Sequence, residues 1–338
     1  MRSLITAVYT LLSTALLTDA ACECGYQLRD TRAYYTHRLA NDFKNHTDAK
    51  DLNKVDEEFF RDWTVQSWTA KPTMQSPLSR TNREENVYIE DGKLVIKQEG
   101  FTEEDAAANR SVGIGAIVTK KDDFLHGSFR ASFAVDRQPG AVAGFFTYEN
   151  DTNEIDIEVL TKEPNATTIH YTNHPSLDPK GNPIVYSSAP VDLNTPWTEE
   201  QQHRFDWSED NVTFYQDAEP MYATIVNIPR APMSVQLNLW SSNSSWSGPP
   251  STKDLAMRIS SILIYHNTTD SDVGADSEFL EQCESAGGTA AEGTVCWDAD
   301  PEVKVSAAAI GRYDDVTTAG WWVLGIGVLV SVLGGKVL

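Results

Sequence analysis

Residues 150–165 read NDTNEIDIEVLTKEPN, and at their centre Glu154, Asp156 and Glu158 alternate with Ile155 and Ile157. A period of two belongs to a β-strand, whose successive side chains point to opposite faces. The three acids therefore share one face. Ile155, Ile157 and Val159 share the other and turn toward a core. Glu and Asp are poor strand formers, and like charges on one face repel one another. A strand that needed only solubility would use Thr, Ser and Lys there. By itself the pentapeptide favours a solvated edge strand over a functional row of carboxylates, because acidic alternation is common in a chain of this composition.

The same alternation recurs along the chain, in NVYIEDGKLVIKQE, GSFRASFAV, TTIHYT, HRFDWSEDNVTFYQDAEP, SVQLNLW and MRISSILIYHN. Turn-forming stretches such as EDGK, RQPGA, DPKGNP, SEDN and QDAEP separate these segments. Many short strands punctuated by turns indicate an all-β sandwich or barrel. Helical periodicity is confined to residues 53–62 and 276–286. About 250 residues of strand-rich sequence fit one large sandwich better than two small ones. The organisation read from this is a leader at 1–20, a working domain at 21–270, an Asp-, Ala-, Ser- and Gly-rich extension at 271–309, and a terminal signal or anchor at 310–338.

The 338-residue chain carries 9 Trp, 12 Tyr and 12 Phe and a formal net charge of −22, so it folds and does not suit nucleic acid. Its start, MRSLITAVYTLLSTALLTDAACECGY, has one Arg, an apolar run, and Thr18 and Ala20 placed for cleavage before Ala21. This is the pattern of a secretory signal peptide. Sequons at Asn45, Asn109, Asn150, Asn165, Asn211, Asn243 and Asn267 are candidates for N-glycosylation and agree with export. Residues 321–335 form an apolar run shorter than the roughly 20 residues of a spanning helix. A polar spacer and the small residues Ser306, Ala307 and Ala308 precede it, the layout of a GPI-attachment signal with Ser306 as the attachment candidate. A single transmembrane anchor over 321–338 is the alternative. Either way, the domain is expected to face outward at a membrane, as a monomer.

Export places Cys22, Cys24, Cys283 and Cys296 in an oxidising compartment, where disulfides form. A Cys22–Cys24 bridge would be strained. The two pairings that join the N-terminal cysteines to Cys283 and Cys296 both tie the ends of the domain together. No His has the spacing of a zinc partner.

In an extended strand the Cα atoms of Glu154 and Glu158 lie about 13 Å apart. Leaning side chains bring the carboxyls to about 5–6 Å, the separation found in retaining glycosidases. One carboxylate then attacks the anomeric carbon while the other protonates the leaving oxygen. Asp156, between them, shares a proton with the nucleophile and spreads the two pKa values apart.

At this point the chain resembles glycoside hydrolase family 16. GAVAGFFTYENDTNEIDIEVL is similar to that family's active-site strand, with its Glu-X-Asp-X-Glu motif on Glu154, Asp156 and Glu158. IHYTNHP, HRFDWSEDNVTFYQDAEPM, NIPRAPMSVQLNLW and HGSFRASFAV match further family strands in the family's order, over roughly residues 55–267. The likeness is strongest to the lichenase and fungal cell-wall transglycosylase branches. It implies a β-jelly-roll sandwich, of the concanavalin A-like kind, with a concave sheet crossed by a glycan cleft. It also implies Glu154 as nucleophile, Asp156 as assisting acid and Glu158 as general acid/base. Tyr148, Tyr171, Asn173, Asn238, Trp240 and Trp246 are expected to bind sugar, with Phe146 either beside them or in the core. Trp63, Trp68 and Trp207 are expected in the core, and His170 at the cleft or core without a catalytic role. Where the family usually has Asp before the nucleophile, this chain has Asn153.

The implied activity is a retaining endo-β-glucanase on polysaccharide, acting on β-1,3 or β-1,3-1,4 glucan without a cofactor. A structural calcium ion is assigned no ligands, because no dense acidic loop is present. Two alternatives use the same sandwich: a glucan or chitin transglycosylase, and a lectin-like module that binds without turnover.

Overall fold

The computed structural model describes residues 22–44, 46, 48, 57–268 and 277–298. The leader, Asn45, Ser306 and the apolar C-terminal run lie outside the described residues.

Two mainly antiparallel sheets stack to form a jelly-roll sandwich. The cleft sheet has nine strands: β4 (Trp63–Val65), β5 (Thr69–Ala70), β6 (Arg80–Asn82), β9 (Val112–Thr119), β11 (Val142–Asn150), β12 (Asn153–Leu160), β13 (Thr168–Asn173), β14 (Ser188–Asp192) and β18 (Ser234–Trp240). Their order is β14-β13-β12-β11-β18-β9-β6-β5, with β4 also on β9. The outer sheet has eight strands: β3 (His37–Asp42), β7 (Val87–Glu90), β8 (Lys93–Gln98), β10 (Phe124–Val135), β15 (Gln201–Trp207), β16 (Val212–Gln216), β17 (Glu219–Thr224) and β19 (Leu255–Thr268). Among the described residues three short α-helices, α1 (Glu57–Asp62), α2 (Glu103–Ala107) and α3 (Ser277–Ser285), and one 3-10 turn, Glu84–Asn86, complete the regular structure beside the cap described below. α1 and α3 fall in the two stretches with helical periodicity.

One contiguous core fills the space between the sheets. Ile155, Ile157 and Val159 are fully buried in it, opposite the acids on the same strand. Burying three such side chains stabilises the strand by on the order of 6 kcal/mol, which offsets the cost of aligning three carboxylates behind them. Phe145, Phe205 and Phe129 bridge the two layers, with the Phe129 and Phe205 rings stacked at 4.8 Å. Trp63 and Trp207 are buried as expected. Trp68 is not. It is 53% exposed, because its segment runs along the rim of the cleft sheet with no layer above it.

The far face of the outer sheet is closed by a cap. β1 (Tyr26–Gln27), β2 (Tyr34–Tyr35) and β20 (Cys296–Trp297) form a small sheet that joins the N-terminal segment to the C-terminal one. Of the two pairings left open by the sequence, the structure has Cys22–Cys296 and Cys24–Cys283. The cap also neutralises two buried guanidinium groups of the outer sheet. Arg130 pairs with Asp298 at 3.2 Å, and Arg204 pairs with Asp30 and Asp206 at 2.5 Å each.

Candidate active site

The site lies on the exposed face of the cleft sheet, and strand register assigns each side chain to it. Glu154, Asp156 and Glu158 of β12 stand opposite Tyr148, Phe146 and Gly144 of β11. Those three stand opposite Ser234, Gln236 and Asn238 of β18, and Gln236 and Asn238 stand opposite Val118 and Ala116 of β9. The three acids are therefore one column in a floor that crosses four strands. Gly144 keeps that floor low beside Glu158: a Cβ there would come within 2.8 Å of Asn238 Oδ1. Asn238 Oδ1 is buried and has no hydrogen-bond partner among the described residues, an acceptor available to a sugar hydroxyl.

The acids are crowded and poorly hydrated. Glu154 and Asp156 share a hydrogen bond. Burial first, then negative charge on the same strand, raises both pKa values above the ordinary carboxylate range: Asp156 acts on Glu154, and Glu158 acts on Asp156. The pair thus holds a proton between its two carboxyls. Glu158 is pushed up to about 7, mainly by burial, against the hydrogen bond that Trp246 gives it. Trp246 Nε1–H donates to Glu158 Oε2 at 3.0 Å. A carboxyl with a pKa near 7 is suited to donate a proton and later recover one.

The loop carrying Trp246 is fastened on both sides. Ser241, Ser242 and Ser244 bond to Ser247 within it, and Lys162 Nζ, just past β12, donates to Ser245 O. The Trp246 ring packs edge-on against His170 at 4.8 Å, and His170 Nε2 lies 3.1 Å from Glu163 Oε1. His170 is thus at the cleft, behind the residue that holds the acid/base. Asn153, on the face opposite Glu154, bonds to Glu149 and accepts from the Arg230 backbone, which fastens the β11–β12 turn.

Among the expected sugar-binding residues, Tyr148, Asn238, Trp240 and Trp246 come together on the cleft face. Phe146 joins them, half-buried. Trp240 packs beneath the Arg80 guanidinium at 4.6 Å. Tyr171 and Asn173 are corrections. Tyr171 stands opposite Ile157 and Asn173 opposite Ile155, so both share the core face and are fully buried. Tyr171 stacks on Phe214 at 4.6 Å, and Asn173 donates to Val226 O at 3.1 Å. The neighbours one residue away, His170 and Thr172, occupy the cleft face beside Glu158 and Asp156.

Sequence reading missed two features. Trp68 lies on the cleft side: Thr64 is opposite Val118, Gln66 N donates to Ala116 O, and Trp68 Nε1 donates to Gln66 Oε1 at 2.8 Å. The alternation of 64, 66 and 68 was its only signal. His174, past the end of β13, was the other. Its Nε2 lies 3.2 Å from Asp156 Oδ2 and 3.9 Å from Glu154 Oε2. Atoms of Glu154, Asp156 and His174 lie within 4.8 Å of one another, the only such His/Cys/Asp/Glu grouping among the described residues. The three already serve one another electrostatically, and glycoside hydrolysis by two carboxylates needs no metal.

The sequons among the described residues differ in surroundings. Asn109, Asn165 and Asn243 are exposed, while Asn150, Asn211 and Asn267 are half-buried. Asn150 Oδ1 accepts from Thr152, and Asn267 Oδ1 accepts from Thr36 of the cap. No helix among the described residues is long and apolar enough to cross a membrane.

The chain is similar to several known proteins. A Beta-glucanase of Brevibacillus brevis is 32% identical over 133 residues, 36% of this chain and 47% of that protein. A Beta-glucanase of Bacillus amyloliquefaciens is 24% identical over 166 residues, 48% of this chain and 63% of that protein. The chain therefore spans less than two thirds of these curated relatives. Among solved structures, a β-1,3-1,4-glucanase (lichenase) from a mouse hindgut metagenome superposes with a TM-score of 0.52 at 19% identity, covering 68% of this chain and 98% of that one. An endo-β-1,3-glucanase of Pyrococcus furiosus superposes with a TM-score of 0.53 at 18% identity, covering 72% and 98%. These likenesses establish the jelly-roll fold. The family model described as glycosyl hydrolases family 16 matches residues 74–257, more than half of the chain and all of the acid row, and the chain belongs to that family.

Proposed function

We propose that the chain is a retaining endo-β-glucanase that cuts β-1,3 or mixed β-1,3-1,4 glucan outside the cell. The observation that carries this reading is the acid row: three carboxyls on the cleft face of β12, two of them hydrogen-bonded to each other and the third held by Trp246. In the first step Glu154 attacks the anomeric carbon as a carboxylate while the shared proton stays on Asp156. Glu158 gives its proton to the departing glycosidic oxygen. In the second step Glu158, now a carboxylate, takes a proton from water, which displaces Glu154 from the sugar. Tyr148, Phe146 and Trp240 offer apolar faces to the sugar rings, and Asn238 offers a hydroxyl partner. The names of the two Beta-glucanase relatives support the substrate class. The leader, sequons and C-terminal signal support a place at the cell surface, held by a GPI-type anchor and acting on wall polysaccharide; we take the chain to act as a monomer. Transfer to a sugar hydroxyl instead of water would use the same intermediate.

A time course of products from a defined β-glucan oligosaccharide tests the proposal. Hydrolysis predicts only shorter products, and products longer than the substrate would mean transfer. Glu154→Gln should lower turnover by at least about 1,000-fold while still binding the glycan, a loss of about 4 kcal/mol in transition-state stabilisation. Glycan binding with no turnover in the unaltered protein would mean a lectin-like module and overturn the reading.

A further inference from the structure

His174 is a titratable group beside the acid row to which the proposed mechanism gives no task. Its backbone N–H donates to Glu154 O at 3.0 Å, joining its position to that of the nucleophile. The next residue is held from outside: Asn227 Nδ2 donates to Pro175 O at 2.7 Å. The ring is about one third exposed, while Asp156, its nearest partner, is almost fully buried. Asp156 Oδ2 has no hydrogen-bond partner among the described residues, so what it meets is the imidazole Nε2 at 3.2 Å.

Charge in this region is one-sided. Glu154, Asp156 and Glu158 come from β12, and Asp151 acts on Glu154 from the adjoining turn. Toward Glu158 the loop presents the neutral Trp246. His170 is engaged with Glu163, and Lys162 with the Ser245 backbone. His174 acts on both Glu154 and Glu158 in the direction that favours their ionised forms. A buried carboxylate pair that must ionise at one member needs such a counter-charge, because burial and mutual repulsion both favour the protonated state.

We infer that His174, whose Nε2 lies 3.2 Å from Asp156 Oδ2 and 3.9 Å from Glu154 Oε2, is a positioning residue that, when it carries a proton, makes the carboxylate form of the nucleophile accessible. It acts through the acid pair and does not touch the sugar. The inference rests on the retaining reading for its kinetic consequence, but its electrostatic content is independent of substrate.

The test compares His174→Gln, which keeps a side-chain amide near the same place without charge, with His174→Lys, which keeps charge. Removing a positive charge beside a carboxyl raises that carboxyl's pKa. The acidic limb of kcat/KM should therefore move to higher pH by about one unit in His174→Gln, with about a tenfold loss below the limb and little change in KM. His174→Lys should move the limb back toward the unaltered protein. A limb that stays in place in His174→Gln, or a loss equal at every pH, would overturn the inference in favour of a packing role. Carboxyl ¹³C NMR titration of Glu154 and Asp156 in the unaltered protein and in His174→Gln reads the same shift with no substrate present. Should the chain cleave no β-glucan, the functional reading fails, and this titration still decides the role of His174: midpoints raised by about one unit support it, and unchanged midpoints refute it.

Discussion

Glu158 illustrates how one neighbour sets the chemistry of a residue. Burial raises its pKa and the indole N–H of Trp246 lowers it, with about 7 as the balance. Trp246→Phe keeps the ring against His170 but removes the donor, so the ionised form of Glu158 loses a stabilising bond. The alkaline limb of kcat/KM, which reports loss of the acid's proton, should then move to higher pH by up to about one unit. An unmoved limb in a pH–rate profile would mean that the 3.0 Å contact does not tune the acid. Much of this was legible from the chain. Glu154, Asp156 and Glu158 are spaced two apart, and a strand can only put such residues on one face. Trp246 was recognisable as an aromatic residue among small ones, but not as the holder of Glu158, because that contact spans 88 residues of sequence. His174 was not legible at all. It stands in the quoted stretch IHYTNHP but past the end of β13, and its role depends on where the chain turns there.

At the scale of elements, register decides which residues can meet substrate. IHYTNHP read correctly as a strand beside the acids, yet the expected face was wrong by one residue. Within β13 one apolar residue marks the core face, Ile169, which is in step with Tyr171 and Asn173; the other positions, His170, Thr172 and the amphipathic Tyr171 itself, pull the reading the other way. Pairing with β12 settles it, through Tyr171 opposite Ile157. Tyr171→Phe should therefore leave KM for glucan unchanged, while Tyr171→Ala should cost about 3–5 kcal/mol of stability in chemical denaturation. The segment from β4 to β5 shows the converse. Trp68 reads as a core aromatic, but it belongs to a rim segment of the cleft sheet, four or five strands from β12, or roughly 20 Å at the usual strand spacing. A side chain that distant can touch only a long substrate. Trp68→Ala should lower kcat/KM on polymeric β-glucan by about 3- to 10-fold and leave short oligosaccharides unaffected. Equal losses on both would place Trp68 in a purely structural role.

For the whole molecule, the two outer faces have separate tasks. The outer sheet is sealed by the disulfide-linked cap, whose Asp298 and Asp30 neutralise Arg130 and Arg204. Removing one partner of such a buried pair typically costs about 3–5 kcal/mol, so the cap is a structural part of the sandwich and not an appendage. The cleft sheet is left open and carries all the reactive groups on a floor fixed by the core beneath it. That division explains why a strand with three acids folds at all: its isoleucines are committed to the core, and the rest of the sheet holds the carboxyls in place. The central claim is that Glu154 forms a covalent bond to the sugar. A 2-deoxy-2-fluoro β-glucosyl oligosaccharide with an activated leaving group should trap that bond, and peptide mass spectrometry locates it. The account predicts one glycosyl adduct, on Glu154; an adduct on Glu158 or Asp156, or turnover of natural glucan with no trappable adduct, would contradict it.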